Sequence, residues 1–229
     1  MAVIGLALWP FVVMNERHVW TALRSWASAT VWGLRWIIGA RVSFEGLENV
    51  PKGGALIAMK HQSTYDTVAP FLFIQNPGYI LKKELLKLPV FGIYASRVGI
   101  PIDRAGGTKT MKKMLVDAKK GIEGGQQIII FPEGTRQLPD TPTDIKPGVI
   151  FMYNELEVPC VPVALNTGLC WQGSGFTRRP GRIIFEVLKP IEPGLKRAEL
   201  TQRAGPAQHQ PRDDRRRHHG QGHPPEDGE

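Results

Sequence analysis

The sequence predicts an α/β domain in which the strands of one sheet alternate along the chain with helices. Short apolar runs bounded by turn-forming residues predict buried strands, and segments with apolar residues at steps of three and four predict helices. These two kinds of segment alternate through residues 41–200, which is typical of layered α/β folds. We therefore divide the chain into a helical segment at residues 1–40, a folded domain at residues 41–200 and a tail at residues 201–229.

The stretch at residues 1–14 is apolar almost throughout, with a proline at position 10. It is shorter than the roughly 20 residues that an α-helix needs to span a bilayer. Glu16 and Arg17 end the apolar run, and no basic region precedes it, so a cleavable signal peptide is not predicted. We expect either a short anchor that dips into the membrane or the remainder of a longer span.

Residues 17–40 have the apolar periodicity of an amphipathic helix. The repeat comprises Trp20, Leu23, Ala27, Val31, Leu34 and Ile38. The apolar face is widened by Trp26, Trp32 and Trp36 and interrupted by Arg24 and Arg35. Tryptophan and arginine on one helix favour the membrane interface, where indole rings and guanidinium groups meet lipid headgroups. The alternative is a helix that packs against its own domain.

The folded domain is predicted to contain seven strands separated by helices and turns. The strands are predicted at residues 42–46, 55–59, 79–82, 98–102, 126–130, 158–165 and 181–188, and the main helices at residues 67–73, 105–120 and 148–155. Pro89 is expected to divide the segment at residues 83–94 into two short pieces, because proline interrupts helical hydrogen bonding.

The chain is basic, with a formal net charge of +8. The five arginines and five acidic residues after Leu200 cancel, so the excess positive charge belongs to the folded part. Such a domain is typical of proteins that bind nucleic acid, an anionic membrane face or a phosphorylated substrate. Because the sequence has no nucleic-acid-binding motif and its tryptophans cluster near the N-terminus, we expect an anionic membrane surface and a phosphate-bearing substrate.

Cysteine and histidine usage gives no indication of a metal site. Cys160 and Cys170 match neither a metal-ligand spacing nor a disulfide framework, so we expect two buried thiols in a reducing compartment. Only His18 and His61 lie outside the tail, and a zinc or two-metal site is therefore not predicted.

The tail at residues 201–229 contains no Val, Ile, Leu, Met, Phe, Tyr, Trp or Cys and is rich in Arg, His, Gly and Pro. A segment of this composition cannot bury a core, so we expect it to be disordered. The abrupt change in composition suggests a reading-frame shift in the source sequence. Resequencing the locus and finding one uninterrupted frame would contradict this hypothesis.

The most informative stretch is Lys60–Asp66, which lies between the strand at residues 55–59 and the next predicted helix. His61 follows the carboxyl end of a strand, where α/β sheets usually bind their ligands. The Asp66 carboxylate can fold back onto the imidazole, fix its tautomer and stabilise its protonated form. The alternative is that Ser63 or Asp66 only caps the helix and that His61 is incidental.

Three further blocks follow in order, at Val98–Arg104, Phe131–Arg136 and Val158–Leu165. Together with the His-x4-Asp block they resemble the four sequence blocks of the lysophosphatidic acid acyltransferases (1-acyl-sn-glycerol-3-phosphate O-acyltransferases), part of the wider glycerolipid acyltransferase family. The resemblance covers about residues 40–195. It implies a mixed β-sheet of about seven strands flanked by helices, an N-terminal amphipathic helical membrane anchor, and a catalytic domain at residues 41–200.

The resemblance implies transfer of a fatty acyl group from acyl-CoA or acyl carrier protein to the sn-2 hydroxyl of lysophosphatidic acid. The product would be phosphatidic acid, formed in phospholipid biosynthesis at the cytoplasmic face of the inner (plasma) membrane. His61 would be the general base and Asp66 would orient it. Because the acceptor hydroxyl attacks directly, Ser63 is not assigned as a nucleophile. Candidate oxyanion donors are backbone N–H groups near the start of the Asp66 helix or around Gly134.

The acceptor phosphate is expected to bind in the loops after the other strands. By the family pattern the acceptor-binding residues are Arg104, Glu133, Gly134, Thr135 and Arg136, with Lys82 as a weaker candidate. A planar guanidinium binds phosphate through paired hydrogen bonds that lysine cannot copy. The resemblance implies no metal and no cofactor, with acyl-CoA or acyl carrier protein as the co-substrate.

Three alternatives stay open from the sequence. The acceptor is another lysolipid, such as a different lysophospholipid or a lyso-ornithine lipid; the chain is a non-catalytic lipid-binding homologue; or it is a thioesterase or lipase that uses water or a serine. The presence of His61, Asp66, Glu133 and Arg136 together disfavours a protein that has lost catalysis. Substitution of Ser63 distinguishes the serine hydrolase, because only that enzyme would lose all activity.

Overall fold

A computed structural model describes residues 16–88, 91–103, 107–141, 145–173, 175–196 and 199–200. The apolar stretch at residues 1–14, Pro89, Arg104 and the tail at residues 201–229 lie outside the described residues. The expectations for these positions therefore stay predictions.

The described chain contains a seven-stranded mixed sheet. Its strands are β1 (Ala40–Glu45), β2 (Ala55–Met59), β3 (Pro77–Lys82), β4 (Gly99–Ile102), β5 (Gln127–Ile130), β6 (Cys160–Leu165) and β7 (Gly181–Val187). They lie in the order β1-β7-β6-β2-β5-β3-β4. All neighbouring pairs are parallel except β6 and β7, which are antiparallel. The predicted mixed sheet of about seven strands is confirmed.

Helices lie on both faces of this sheet. They are α1 (Glu16–Gly33), which continues into a π-helical turn at Leu34–Ile38, α2 (Phe91–Val98), α3 (Gly107–Glu123) and α4 (Pro147–Leu156). Short 3₁₀ turns lie at Leu47–Asn49, Thr64–Thr67, Ala69–Leu72, Lys83–Lys87 and Thr167–Leu169. These elements agree with the predicted alternation of strands and helices.

The prediction of a helix at residues 67–73 was wrong. The chain forms two 3₁₀ turns there, Thr64–Thr67 and Ala69–Leu72. Ser63 caps the first turn, so the structured segment begins three residues earlier than its apolar residues indicate. Pro70 has no N–H to donate to the carbonyl of Asp66, so one continuous α-helix would lack a hydrogen bond at this position.

The strand β2 is the centre of the fold. All five of its residues are buried. Ile57 and Met59 pack into the core on the α1 face of the sheet, whereas Leu56 and Ala58 pack into the core on the α3 and α4 face. A strand covered on both faces holds its carboxyl end in a fixed position, which matters because the His61 segment begins there.

The helix α1 packs against its own domain through one face. Val19, Leu23 and Ala27 are at most 5% exposed and belong to the core that also contains Phe185 of β7. The guanidinium of Arg24 donates a 2.9 Å hydrogen bond to the carbonyl oxygen of Gln75. The packing alternative therefore holds for this apolar face.

Other apolar side chains at the end of α1 are exposed. Trp32, Trp36 and Ile37 are 61%, 68% and 74% exposed, and the guanidinium of Arg35 lies 5.4 Å from the centre of the Trp36 ring. None of the helices in the described part of the chain has both the length and the hydropathy needed to cross a bilayer. The membrane contact of this segment stays a prediction.

Both cysteines are buried free thiols, as the sequence predicts. Burial raises the pKa of the Cys160 thiol to about 12, so this side chain stays protonated near neutral pH. Cys160 and Cys170 therefore act as small apolar side chains in the two cores.

Candidate active site

Three neighbouring strands end at the same edge of the sheet. The strand β2 lies between β5 and β6 and is parallel to both. The chain therefore leaves these strands at one edge, beginning with Lys60 after β2, Phe131 after β5 and Asn166 after β6. Such an edge is where α/β sheets bind their ligands.

His61 and Asp66 form a buried hydrogen-bonded pair at this edge. His61 Nδ1 lies 3.0 Å from Asp66 Oδ2, and the Asp66 side chain is fully buried whereas 11% of the His61 side chain is exposed. Because an ionised carboxylate only accepts hydrogen bonds, Nδ1 carries the proton and Nε2 is left as the basic nitrogen. The structure thus brings the two predicted residues into direct contact.

The Asp66 carboxylate is held by several donors at once. Oδ2 accepts backbone hydrogen bonds of 2.6 Å from Gln62 and 2.7 Å from Ser63, in addition to the contact with His61. Oδ1 accepts a 2.6 Å hydrogen bond from the hydroxyl of Thr167. These bonds compensate the ionised carboxylate for its burial and fix its orientation toward the imidazole.

Ser63 is the N-cap of the turn Thr64–Thr67. Its hydroxyl oxygen accepts a 2.9 Å hydrogen bond from the backbone N–H of Tyr65, and the Asp66 carboxylate accepts one from the backbone N–H of Ser63. The Asp66 carboxylate both caps this turn and contacts His61, so the capping alternative and the His–Asp contact hold together. Among the described contacts none joins the Ser63 hydroxyl to the imidazole, so the geometry disfavours a serine nucleophile.

The segment after β5 packs directly on His61. The ring of Phe131 stacks on the imidazole, with 4.0 Å between the ring centres and 21° between the ring planes. The backbone N–H of Gln137 donates a 2.8 Å hydrogen bond to the carbonyl oxygen of His61. The histidine is thus fixed by Asp66 through its ring edge, by Phe131 against its ring face and by Gln137 at its backbone.

Lys60 and Glu133 are two buried charged residues beside the histidine, each 2% exposed. Burial raises the pKa of the Glu133 carboxyl to about 7, and the attraction of Lys60 only partly opposes this shift. Burial also lowers the pKa of Lys60, whereas the nearby Glu133 and Asp140 raise it. The ammonium of Lys60 donates a 2.9 Å hydrogen bond to the carbonyl oxygen of Thr141.

The predicted acceptor-binding block Glu133–Arg136 divides into a buried and an exposed part. Glu133 is buried, whereas Thr135 and Arg136 are exposed. Gly134 has a φ of +67°, a backbone conformation that residues with a side chain adopt only with strain. Its N–H donates a 3.0 Å hydrogen bond to the carbonyl oxygen of Phe131. Arg136, which follows this tight turn, directly precedes Gln137, whose backbone N–H bonds to the His61 carbonyl oxygen.

Lys82, the weaker of the predicted phosphate ligands, lies farther across the sheet. Lys82 is exposed at the end of β3, which is separated from β2 by β5. Two strand spacings, roughly 10 Å, therefore lie between the Lys82 strand and the His61 strand. Arg104 lies outside the described residues, just after the edge strand β4. The structure does not bring Lys82 into contact with the histidine pair.

Three of the N–H groups in the region expected to supply oxyanion donors are already engaged. The backbone N–H groups of Gln62 and Ser63 bond to Asp66, and that of Gly134 bonds to the carbonyl oxygen of Phe131. These groups stabilise the two turns, so the structure does not assign them to the oxyanion. Oxyanion stabilisation by other N–H groups of these two regions stays a prediction.

Three residues of the site were not predicted from the sequence. Thr167 binds Asp66 across 101 positions of sequence, Phe131 stacks on the imidazole, and Lys60 is buried next to it. Thr167 gives the signal that also identified His61, a polar side chain just after a buried parallel strand. The order of the strands, which places β6 beside β2, was needed to use that signal.

A buried imidazole–carboxylate pair at the carboxyl edge of a mixed sheet has the geometry that general base catalysis requires. The family model Acyltransferase matches residues 41–166, which include the histidine pair and the segment after β5. The chain belongs to this acyltransferase family.

Individual relatives carry a more specific name. The chain is 32% identical over 188 residues to the 1-acyl-sn-glycerol-3-phosphate acyltransferase of Pseudomonas aeruginosa, with 80% of this chain and 73% of that protein covered. It is 27% identical over 195 residues to the enzyme of the same name from Cocos nucifera, with 84% of this chain and 61% of that protein covered. The chain therefore spans less than two thirds of the Cocos nucifera enzyme.

A solved structure supports the fold. The chain superposes on the crystal structure of PlsC, the 1-acyl-sn-glycerophosphate (LPA) acyltransferase from Thermotoga maritima, with a TM-score of 0.73 and 23% identity. The match covers 89% of this chain and 84% of that chain. At this identity the likeness shows a shared fold, which agrees with the mixed sheet described above.

Proposed function

We propose that this member of the acyltransferase family transfers an acyl group from acyl-CoA or acyl carrier protein to the sn-2 hydroxyl of lysophosphatidic acid. The similarity to enzymes named 1-acyl-sn-glycerol-3-phosphate acyltransferase supports acyl transfer in glycerolipid synthesis. The observation that carries this proposal is the His61–Asp66 pair, because it leaves a basic Nε2 and no serine hydroxyl among the described residues is hydrogen-bonded to the imidazole. A substrate hydroxyl is then the group that the imidazole activates.

The chemistry follows from this geometry. Nε2 of His61 takes the proton of the acceptor hydroxyl while the hydroxyl oxygen attacks the thioester carbonyl. The tetrahedral intermediate collapses with loss of the thiolate, which takes the proton back from the imidazolium. Asp66 faces Nδ1 throughout and stabilises the imidazolium. General base catalysis contributes on the order of 10²–10⁴-fold, and the rest must come from positioning and oxyanion stabilisation.

Acceptor binding is assigned to the basic side chains at the same edge. Arg136 is exposed in the turn after β5 and follows the segment that packs on His61. Its guanidinium suits a phosphate through paired hydrogen bonds. Arg104 and Lys82 are proposed as more distant phosphate contacts, for a lipid that lies in an anionic membrane surface at the cytoplasmic face of the inner membrane.

A direct test uses the purified protein in detergent with labelled acyl-CoA, labelled acyl carrier protein and a panel of lysophospholipids and lyso-ornithine lipid. We expect phosphatidic acid from lysophosphatidic acid, and a loss of at least about 100-fold in kcat for His61→Ala. An unchanged kcat in this variant removes His61 from the mechanism. A preference for another lysolipid replaces the acceptor but keeps the acyl transfer.

A further inference from the structure

The proposed mechanism leaves one buried charge pair without a role. Lys60 and Glu133 are each 2% exposed; Lys60 directly follows β2, and Glu133 lies three residues after the end of β5. Neither carboxylate oxygen of Glu133 has a hydrogen-bond partner among the described residues. Its negative charge is opposed by the ammonium of Lys60 and by the nearby backbone N–H groups of Glu133 and His61.

The burial of Glu133 argues against direct contact with the acceptor. A side chain that is 2% exposed has almost no surface for a substrate phosphate or hydroxyl. Thr135 and Arg136, two and three residues later in the same block, are exposed and available to a ligand. The carboxylate therefore faces the protein interior, where Lys60 supplies the opposite charge.

Three contacts fasten the segment at residues 131–141 to the Lys60–His61 dipeptide. At its start the Phe131 ring stacks on the imidazole, and in its middle the Gln137 N–H bonds to the His61 carbonyl oxygen. At its end the Lys60 ammonium donates to the carbonyl oxygen of Thr141. The segment that carries Arg136 is thus held by His61 at its start and in its middle and by Lys60 at its end.

We propose that Lys60 and Glu133 are positioning residues, a buried charge pair that holds the segment at residues 131–141 against His61 without contacting the acceptor. Lys60 contributes through its bond to Thr141 and through its charge, and Glu133 balances that charge inside the turn. The expected effect on catalysis rests on the proposed function, because it depends on where Arg136 and His61 lie relative to the acceptor lysolipid.

A pair of this kind has a recognisable mutational pattern. Removing Lys60 leaves the buried Glu133 carboxyl without its cation, and removing Glu133 leaves the buried Lys60 with the exposed Asp140 as its counter-charge, whereas replacing both with neutral side chains removes the problem. We therefore expect Lys60→Met and Glu133→Gln each to lower kcat on the order of tenfold or more. The acceptor KM should change less than about twofold. The double variant should have a higher kcat than the less active of the two single variants. Lys60→Arg, which keeps the charge, should retain more activity than Lys60→Met.

A second measurement does not depend on activity. Hydrogen–deuterium exchange of the full-length protein in detergent, without substrate, reports how firmly residues 131–141 are held. In Lys60→Met we expect the Gln137 amide to exchange about tenfold faster, because its segment loses the anchor at Thr141. Lys52→Met is the matched control, since Lys52 is exposed in the turn before β2. It should change neither exchange nor activity.

The outcomes separate the two roles of Glu133. A raised acceptor KM with unchanged kcat in Glu133→Gln, additive with Lys60→Met, would make Glu133 a substrate ligand and overturn the inference. Unchanged exchange at residues 131–141 in Lys60→Met overturns it as well. If the wild-type protein acylates no lysolipid, the proposed function fails, while the exchange data still decide whether Lys60 holds this segment.

Discussion

The Asp66 carboxylate joins two parts of the chain that lie far apart in sequence. It accepts hydrogen bonds from its own turn through the N–H groups of Gln62 and Ser63, and one from the Thr167 hydroxyl after β6. The local bonds fix the turn, and the distant bond fixes the turn to the sheet. Orientation of His61 therefore depends on a residue that the His-x4-Asp pattern does not contain.

Thr167 can be tested with a nearly isosteric substitution. Thr167→Val removes the donor to Asp66 Oδ1, and a hydrogen bond to a charged group is worth roughly 1.5–3 kcal/mol. We expect kcat to fall by about 10- to 100-fold with little change in KM, because the lost bond acts on the imidazolium formed in the transition state. Steady-state kinetics with lysophosphatidic acid measure both parameters.

Two controls accompany this substitution. Thr167→Ser keeps the hydroxyl and should restore most of kcat. Thr30→Val removes a hydroxyl that donates a 2.9 Å hydrogen bond to the Trp26 carbonyl oxygen within α1, and it should leave kinetics unchanged. Full activity of Thr167→Val would show that the local donors alone are enough to hold Asp66.

The residues found from the sequence and those missed differ in one physical respect. His61 and Asp66 are five positions apart, so chain geometry alone allows their contact. Thr167 and Lys60 became part of the site through the order of the strands and through burial on both sides of β2. Neither property can be read from the local pattern. Residue-level prediction therefore ended where the contacts became long-range.

At the scale of elements, the alternation of strands and helices was predictable because buried strands and amphipathic helices have different apolar periods. All seven strands lie within a few residues of their predicted bounds. The exception is the segment after Ser63, where a capping box and Pro70 produce 3₁₀ turns. Local hydrogen bonding prevailed there over an apolar pattern that indicated an α-helix.

Gly46 shows how one residue limits an element. It ends β1 with a φ of +68°, and a Cβ at this position would lie 2.1 Å from the carbonyl oxygen of Val187. We expect Gly46→Ala to lower the free energy of unfolding by at least about 2 kcal/mol, since both strain and a backbone clash oppose it. Denaturant unfolding monitored by circular dichroism measures the change.

The control for this substitution is Gly53→Ala. A Cβ at Gly53 meets no heavy atom within 4 Å, and the residue is exposed in the turn before β2. The free energy of unfolding of the Gly53→Ala variant should stay within about 0.5 kcal/mol of the wild-type value. Equal stability of the Gly46 and Gly53 variants would mean that β1 and β7 separate at little energetic cost.

At the scale of the whole molecule, α1 belongs both to the core and to the surface. Its own residues Val19, Leu23 and Ala27 are buried, whereas Trp32 and, in the π-helical turn that follows, Trp36 are exposed. Deletion of residues 1–40 would therefore open the core as well as remove the predicted membrane contact. We expect the truncated protein to aggregate, so deletion does not separate folding from membrane attachment.

Point substitutions at the exposed end of α1 make that separation. The triple substitution Trp32→Ser, Trp36→Ser and Ile37→Ser leaves the buried face of the helix intact, so the midpoint of thermal unfolding should change little. Large apolar side chains gain about 1.5–3 kcal/mol each on full burial, and these three would be buried only partly in a membrane interface. We expect co-sedimentation with anionic vesicles to weaken at least about tenfold.

The matched control is Val116→Ser, which removes an apolar side chain that is 64% exposed on α3, a helix that packs on the opposite face of the sheet from α1. If the membrane contact lies at the end of α1, this control sediments as the wild type does while the triple variant stays in solution. If the triple variant still sediments fully, the membrane contact lies elsewhere on the basic surface. Higher salt would then release the protein, because attraction between exposed charges is screened over about 10 Å at 0.1 M ionic strength.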